Sequence, residues 1–312
     1  MKAVQIKEYG HIDVIEIKEV DKPRPAKDQV QIEVHASSIN PVDWKIREGH
    51  LVQMFPAQLP ITLGRDLAGV ITELGKEVTN TRVGDKVYGQ AGVWGGGSGA
   101  LAEYATTPAG TVAKMPKNLS FTEAAAIVLV GVSAVQTLIE DMKLKRKQKI
   151  LIHGGAGGIG TIAIQIAKNI GAYVTTTATG NGIEYVKQLG ADEVIDYKTQ
   201  AFDEKVSGYD AVYDTVGGET YTRSFKVLKK GGIIVSMLEP PNANLMKQYG
   251  VTAILRMTQI TTKRLDVLRK FVEDGVVKVH IEKTYPLSQI KEAFKAKETG
   301  DVLGKIAIEI KK

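Results

Sequence analysis

A chain of 312 residues exceeds what one hydrophobic core usually organises, so two domains are expected. With 43% hydrophobic and 24% charged residues it is too apolar for a disordered chain, and the absence of cysteine excludes a disulfide framework or a thiolate metal site. The net charge of +6 invites a polyanionic partner, but the dense basic run Lys143, Lys145, Arg146, Lys147 and Lys149 has no aromatic interleaving and precedes an apolar strand; it reads as a solvated loop, and no nucleic-acid partner is expected.

Met1 to Gly10 carries charges and lacks the apolar core and cleavage site of a signal peptide, and no stretch approaches the ~20 consecutive apolar residues of a membrane span. A cytoplasmic location is therefore expected. The first third is strand-rich. Val30, Ile32, Val34 and Ala36 alternate with Gln31, Glu33, His35 and Ser37, the period of a strand with one buried face. Short strands then recur between Gly and Pro breaks, at Leu67–Leu74, Lys86–Gly89, Leu101–Thr106 and Thr111–Lys114, which suits a partly closed β domain. From about Ser120 helical pattern alternates with the apolar runs Ile150–Ile152, Tyr173–Thr177, Glu193–Ile195, Ala211–Tyr213 and Ile233–Ser236, as in a parallel sheet with crossover helices. The apolar stretch Val251–Leu255 reads as a further strand with an exposed edge, through which the chain is expected to form a homodimer. The last strand, Lys305–Ile310, has no local partner and is expected to rejoin the β domain. The expected domains are thus 1–119 with 279–312, and 120–278.

The sharpest motif begins at Ile150 and runs through Gly160. Gly155, Gly157 and Gly160 satisfy G-x-G-x-x-G, with Ala156, Gly158 and Ile159 completing the loop. A strand precedes it, and a helix follows in which Ile159, Ile162, Ala163, Ile166 and Ile170 recur at helical spacing. The first glycine permits a tight turn, the second a close approach of the backbone to a pyrophosphate, and the third close helix–sheet packing. Unpaired N–H groups and the positive end of the helix dipole then face the phosphates. From Thr161 through Ile183 there is no acid to hold a ribose 2′-hydroxyl; Thr177, Thr179 and Asn181 stand at the expected mouth instead. Each hydrogen bond to a charged group contributes about 1.5–3 kcal/mol, so one or two would favour NADP over NAD by about 10- to 1000-fold. The expected cofactor is NADPH/NADP.

These two textures, with the glycine motif near mid-chain, resemble the medium-chain dehydrogenase/reductase superfamily over essentially the whole chain. Its zinc alcohol dehydrogenases hold a catalytic zinc with Cys, His and a second Cys or acid, and a structural zinc in a four-Cys lobe. Here the early loop reads Asn40-Pro-Val-Asp43, the usual Gly-His-Glu is Gly64-Arg65-Asp66, and the lobe is replaced by the patch Gly92 to Gly99. His11, His35, His50, His153 and His280 do not pair at ligand spacing, so no metal is expected. The stretch from Ser38 to Arg47, with Leu63 to Gly69, Val212 to Gly218 and Gly304-Lys-Ile, looks like the zinc-free quinone and enone oxidoreductase branch. The resemblance implies an α/β protein: a GroES-like partly closed β domain plus a Rossmann doubly wound parallel sheet domain. It also implies roles for Asn40, Asp43 and Lys45 beside the nicotinamide and for Ser133 near its carboxamide. Thr177, Thr179 and Tyr197 would lie at the adenosine end, and Val216 among the cofactor contacts. Asp66 reads as structural, capping nearby N–H groups. No arginine stands beside Thr179, leaving Lys198 and Lys187 as candidates for the 2′-phosphate.

The chemistry expected is hydride transfer to an electron-poor conjugated carbonyl, a quinone or an α,β-unsaturated ketone or aldehyde, with Lys45 or an N–H donor stabilising the developing oxyanion. Delocalisation replaces the Lewis acid. No proton donor stands out, which leaves the proton to solvent. Two alternatives share the fold: an enoyl-thioester reductase, and a non-enzymatic, crystallin-like NADP-binding protein acting through a partner.

Overall fold

Residues 1–54, 56–300 and 302–311 are described by the computed structural model, in which two units form around separate sheets. The first comprises residues 1–129, 260–273 and 279–312, the second 130–259 and 274–278. In chain order the first unit contributes β1 (Lys2–Ile6), β2 (Glu16–Glu19), β3 (Gln29–Ile39), the short helix α1 (Pro41–Arg47), β4 (Ile61–Thr62), β5 (Asp66–Leu74), β6 (Lys86–Gln90), β7 (Tyr104–Pro108) and β8 (Val112–Lys114). Helix α2 (Phe121–Val135) follows, and a π-helical segment, Gln136–Asp141, extends it.

β3 organises this unit. Val30, Ile32, Val34 and Ala36 are fully buried, as the alternation requires. The opposite face is not open, however. Gln31 is buried because its amide donates to Pro23 O at 2.6 Å and accepts from Thr72 Oγ1 at 2.7 Å, and His35 stacks on Phe121 with centroids 4.2 Å apart. One edge of β3 pairs with β5 over most of its length; the other is shared by β7 and by a strand from the C-terminus, introduced below. The strand expected at Leu101–Thr106 lies at Tyr104–Pro108; Leu101 is taken up instead by backbone bonds to Val4 and Leu63.

The second unit holds β9 (Lys149–Ile152), α3 (Gly158–Ile170), β10 (Tyr173–Ala178), α4 (Asn181–Gln188), β11 (Glu193–Asp196), α5 (Phe202–Lys205), β12 (Tyr209–Asp214), α6 (Gly218–Ser224), β13 (Leu228–Ser236), α7 (Ala243–Tyr249) and β14 (Thr252–Leu255). All its strands are parallel, in the order β11-β10-β9-β12-β13-β14. That is the 3-2-1-4-5-6 order of a dinucleotide-binding sheet, whose direction of winding reverses between β9 and β12. Helix α3 is buried all round from Gly160 to Ala167 rather than along one stripe: Ile164 and Ala167 are as inaccessible as Ile162 and Ala163.

The chain then returns to the first unit with α8 (Thr262–Glu273), β15 (Ile281–Pro286), α9 (Ile290–Glu298) and β16 (Lys305–Glu309). β16 pairs antiparallel with the last four residues of β3, so the first unit is discontinuous. The expected boundaries differ in two places. The division falls after Leu129, and α8 belongs to the first unit, where Thr262 Oγ1 donates to Val112 O at 2.7 Å, Tyr88 OH to Leu265 O at 2.6 Å and Asn118 Nδ2 to Val272 O at 2.9 Å. By length and composition Phe121–Asp141 is apolar enough to cross a membrane, contrary to the expectation of no such stretch; most of it is buried, the pattern of a core helix. The basic residues from Lys143 to Lys149 are exposed, as a solvated loop requires.

Candidate active site

The glycine loop leaves β9 and opens α3 with Gly157 as the N-cap. Its glycines have separate physical causes. A Cβ on Gly155 would lie 2.0 Å from Thr176 Oγ1, and one on Gly160 would lie 2.3 Å from Gly154 O, so both are required by the protein's own packing. A Cβ on Gly157 would meet only Gly154 O, at 3.3 Å. Nothing inside the protein demands glycine there with the same force; the bare backbone is what an approaching pyrophosphate needs. Gly154 itself adopts φ +68°, a left-handed conformation that glycine supplies without strain.

A chain of hydrogen bonds braces this turn. Gly154 N–H donates to Thr177 Oγ1 at 3.1 Å, whose hydroxyl donates to His153 Nδ1 at 3.3 Å. His153 Nε2 donates to Ser224 Oγ at 2.9 Å, and Ser224 to Thr220 O at 2.6 Å. Burial holds the His153 imidazole well below its ordinary range, at about 3, so the ring is neutral and can accept at one nitrogen and donate at the other. Thr177 is therefore not at the mouth: it is buried and its hydroxyl is committed to the loop. The sequence gives little warning of this, because nothing local distinguishes Thr177 from Thr179.

Thr179, Asn181 and Tyr197 do reach the surface at the carboxyl ends of β10 and β11. There Thr179 is hydrogen-bonded to Asp196, which also accepts from Lys198 N at 3.1 Å; these bonds hold the Asp196 carboxyl below its ordinary range. An acid thus stands at the adenosine end after all. It arrives from the neighbouring strand, where Ala178 and Asp196 are in register, and lies beyond the acid-free stretch. Lys187 is paired with Glu184 at 2.6 Å, while Lys198 stands two residues after Asp196. Val216, half exposed, sits on the loop after β12. Asp214 shapes that loop by accepting from the N–H groups of Val216 and Gly217 and from Ser236 Oγ. Ser133 is buried on α2 with its Oγ 2.6 Å from Thr258 Oγ1.

In the first unit Asn40 ends β3 and caps α1, with Pro41 at the first helical position. Asp43 Oδ2 accepts from Asn40 N at 2.7 Å, the returning half of a capping box. The Asn40 side chain is turned inward: its Nδ2 donates to Asp66 Oδ2 at 2.7 Å and its Oδ1 accepts from Lys305 Nζ at 2.5 Å. Ser38 Oγ adds a donor to Asp66 Oδ2 at 2.9 Å, and Lys305 Nζ also donates to Ile39 O at 3.0 Å. Asn40, Asp43, Asp66 and Lys305 are all buried. Burial pushes the Asp43 carboxyl up to about 7, with the neighbouring Asp66 adding to the shift and the Asn40 N–H opposing it. Lys45, by contrast, is partly exposed, with its ammonium 5.8 Å from the Trp44 ring centroid. Sequence reasoning reached Asn40, Asp43 and Asp66 but missed Lys305 and the fully buried Arg47, which bonds Glu48, Glu298 and Gly10 O; charged side chains in otherwise apolar surroundings were the signal available. The same unit contains a cavity of about 440 Å³ whose lining includes Gln5, Ala57, Gln58, Ile61, Thr62 and Trp94. No described residue lining it carries a charge.

Known proteins share this arrangement. Residues 26–117 match the alcohol dehydrogenase GroES-like domain, and residues 189–308 match a family described as zinc-binding dehydrogenase. The chloroplast envelope quinone oxidoreductase homolog of Arabidopsis thaliana is 35% identical over 99% of this chain and 98% of its own length. The chain belongs to the medium-chain dehydrogenase/reductase superfamily, in its quinone and enone oxidoreductase branch. The 2-methylene-furan-3-one reductase of Solanum lycopersicum, 36% identical over 99% of this chain and 79% of its own, is another relative. The Escherichia coli quinone oxidoreductase, solved in complex with NADPH, superposes with a TM-score of 0.89 at 27% identity, covering 99% of this chain and all of that one. Membership makes the protein an oxidoreductase. Among its described residues no group of three or more His, Asp or Glu could hold a metal ion.

Proposed function

We propose that this protein is an NADPH-dependent reductase that transfers hydride, without zinc, to quinones or α,β-unsaturated carbonyl compounds. The observation that carries the reading is the glycine loop at the reversal point of the parallel sheet, where the protein's own packing presses far less on Gly157 than on Gly155 and Gly160. The NADPH of the Escherichia coli relative and the quinone and furanone reductases among the relatives support the same cofactor and substrate class.

NADPH, when bound, supplies the hydride. The protein's part is to hold and orient. The main-chain N–H groups at the start of α3 bind the pyrophosphate, and His153 and Thr177 keep the turn that presents them. An uncharged cavity with amide and hydroxyl groups and one indole suits a flat, neutral carbonyl compound better than a charged thioester. Lys45 is the partly exposed cation of α1 and is assigned to the developing oxyanion. Asn40 and Asp43 act from inside as its supports. The protein is further inferred to work as a homodimer.

Steady-state oxidation of NADPH against a panel of quinones, enones and enoyl-CoA esters tests the reading. Turnover of quinones or enones by protein free of stoichiometric zinc is expected. A preference for enoyl-CoA, no turnover at all, or activity that tracks bound zinc would overturn it.

A further inference from the structure

Three groups in the first unit meet where no solvent reaches: the Asp43 carboxyl, the Asp66 carboxyl and the Lys305 ammonium. Asp66 Oδ2 is served by Ser38 and Asn40, and Lys305 Nζ lies 3.8 Å from it, but Asp66 Oδ1 and Asp43 Oδ1 are buried with no hydrogen-bond donor. A buried anionic oxygen without a donor is costly, and a proton on it removes most of that cost. Lys305 gives Asp66 a cation; Asp43 has only one N–H, on its other oxygen. Burial pushes both carboxyls up, but Lys305, Asn40 and Ser38 oppose the shift at Asp66, so the proton is placed on Asp43.

Lys305 reaches Asp43 indirectly. Its bonds to Ile39 O and Asn40 Oδ1 fix the Asn40 amide with its NH₂ towards Asp66, and the same residue's main-chain N–H closes on Asp43. We propose that Lys305 is a positioning residue for the reaction: the C-terminal strand β16 clamps Asn40 from beneath, and the clamp holds the first turn of α1, with Asp43 and Lys45, in place. This rests on the reading that Lys45 serves the reacting carbonyl. Asp43 stands two residues before Lys45, so its ionisation would offset the positive potential that Lys45 provides. The charged groups facing Asp43 are Asp66 at the start of β5, Arg65 just before it, and Lys305 on β16. Arg65 and Lys305 favour the Asp43 anion, and Asp66 disfavours it.

The test is a pair of pH profiles. In the wild type, kcat should fall as pH rises through a limb near 7, and Asp43→Asn should abolish that limb. Lys305→Met should lower kcat by about 10- to 100-fold with the affinity for NADPH unchanged, because α1 is mispositioned. It should also move the limb to higher pH, because a cation that favoured ionisation is gone. A clamp that served stability alone would leave kcat below the limb unchanged. Should Lys305→Met fail to fold, Lys305→Gln keeps a polar donor for Asn40 Oδ1 and Ile39 O while removing the charge, and is expected to fold and to show the same direction of limb shift. A ¹³C-carboxyl titration of Asp43 in the same proteins decides the inference without turnover. If the wild type reduces no acceptor, the functional reading fails while the titration still reports on the clamp. An Asp43 titration unchanged by loss of Lys305 overturns the inference whatever the activity.

Discussion

The hydroxyl of Thr179 is bound to the carboxylate of Asp196, which places a negative charge at the tip of β10, where the adenosine ribose of a dinucleotide is expected. A carboxylate there accepts from a free 2′-hydroxyl and repels a 2′-phosphate, so NADPH must draw on Lys198 and Asn181 to offset it. Asp196→Asn removes the repulsion and frees Thr179 to donate. The ratio of NADPH to NADH affinity, read by fluorescence titration, should rise by about tenfold. An unchanged or reduced ratio would place the 2′ position elsewhere. Lys45 is tested at the same scale. If it stabilises the developing oxyanion, Lys45→Met should lower kcat by about 10²–10³-fold and leave NADPH affinity unchanged. Enones should suffer more than quinones, whose aromatic products already delocalise the charge. Equal turnover by both proteins would return Lys45 to the surface and leave the oxyanion to backbone donors.

At the scale of the element, the strand–turn–helix from β9 to α3 was the most legible part of the chain, because three glycines, an apolar strand and a helical repeat all point to one structure. What the spacing could not show is that the three glycines answer to different forces. A Cβ on Gly160 would lie 2.3 Å from the Gly154 carbonyl oxygen, whereas one on Gly157 would lie 3.3 Å from the same oxygen, a close contact that a small shift relieves. Gly160→Ala should therefore lower the melting temperature and cofactor affinity together. Gly157→Ala should lower the melting temperature of the free protein much less than Gly160→Ala and weaken NADPH binding, since its methyl group occupies the pyrophosphate's approach. Equal destabilisation of the two variants would refute the division. The brace behind the loop was invisible in sequence for a similar reason. His153, Thr177 and Ser224 are far apart in the chain and meet only because β9, β10 and α6 converge. Likewise the clamp on Asn40 comes from a lysine near the opposite end of the chain. Local pattern reveals groups that act along one element; groups assembled from several elements need the fold first.

At the scale of the whole molecule the return of β16 to β3 was legible because a C-terminal apolar strand without a neighbour must find one. The placement of α8 was not, because Leu265, Leu268 and Val272 form an apolar stripe that any sheet could bury. The parallel sheet of the second unit leaves two edges, β11 and β14. β11 carries Glu193 and Asp196, charges that discourage a further strand. β14 reads Thr-Ala-Ile-Leu, with Leu255 exposed and no charge along it. Arg256 N bonds Ser236 O on β13, so by strand alternation the N–H of the preceding residue, Leu255, points away from β13 towards the open edge. Two copies joined antiparallel along β14 around a twofold axis would continue the sheet and cover Leu255. Light scattering at micromolar concentration should therefore show a dimer. Leu255→Pro removes an outward donor while sparing the bond that Arg256 makes to β13, and should give a monomer that still binds NADPH. A wild type that is monomeric, or a Leu255→Pro variant that remains dimeric, would move the interface away from β14.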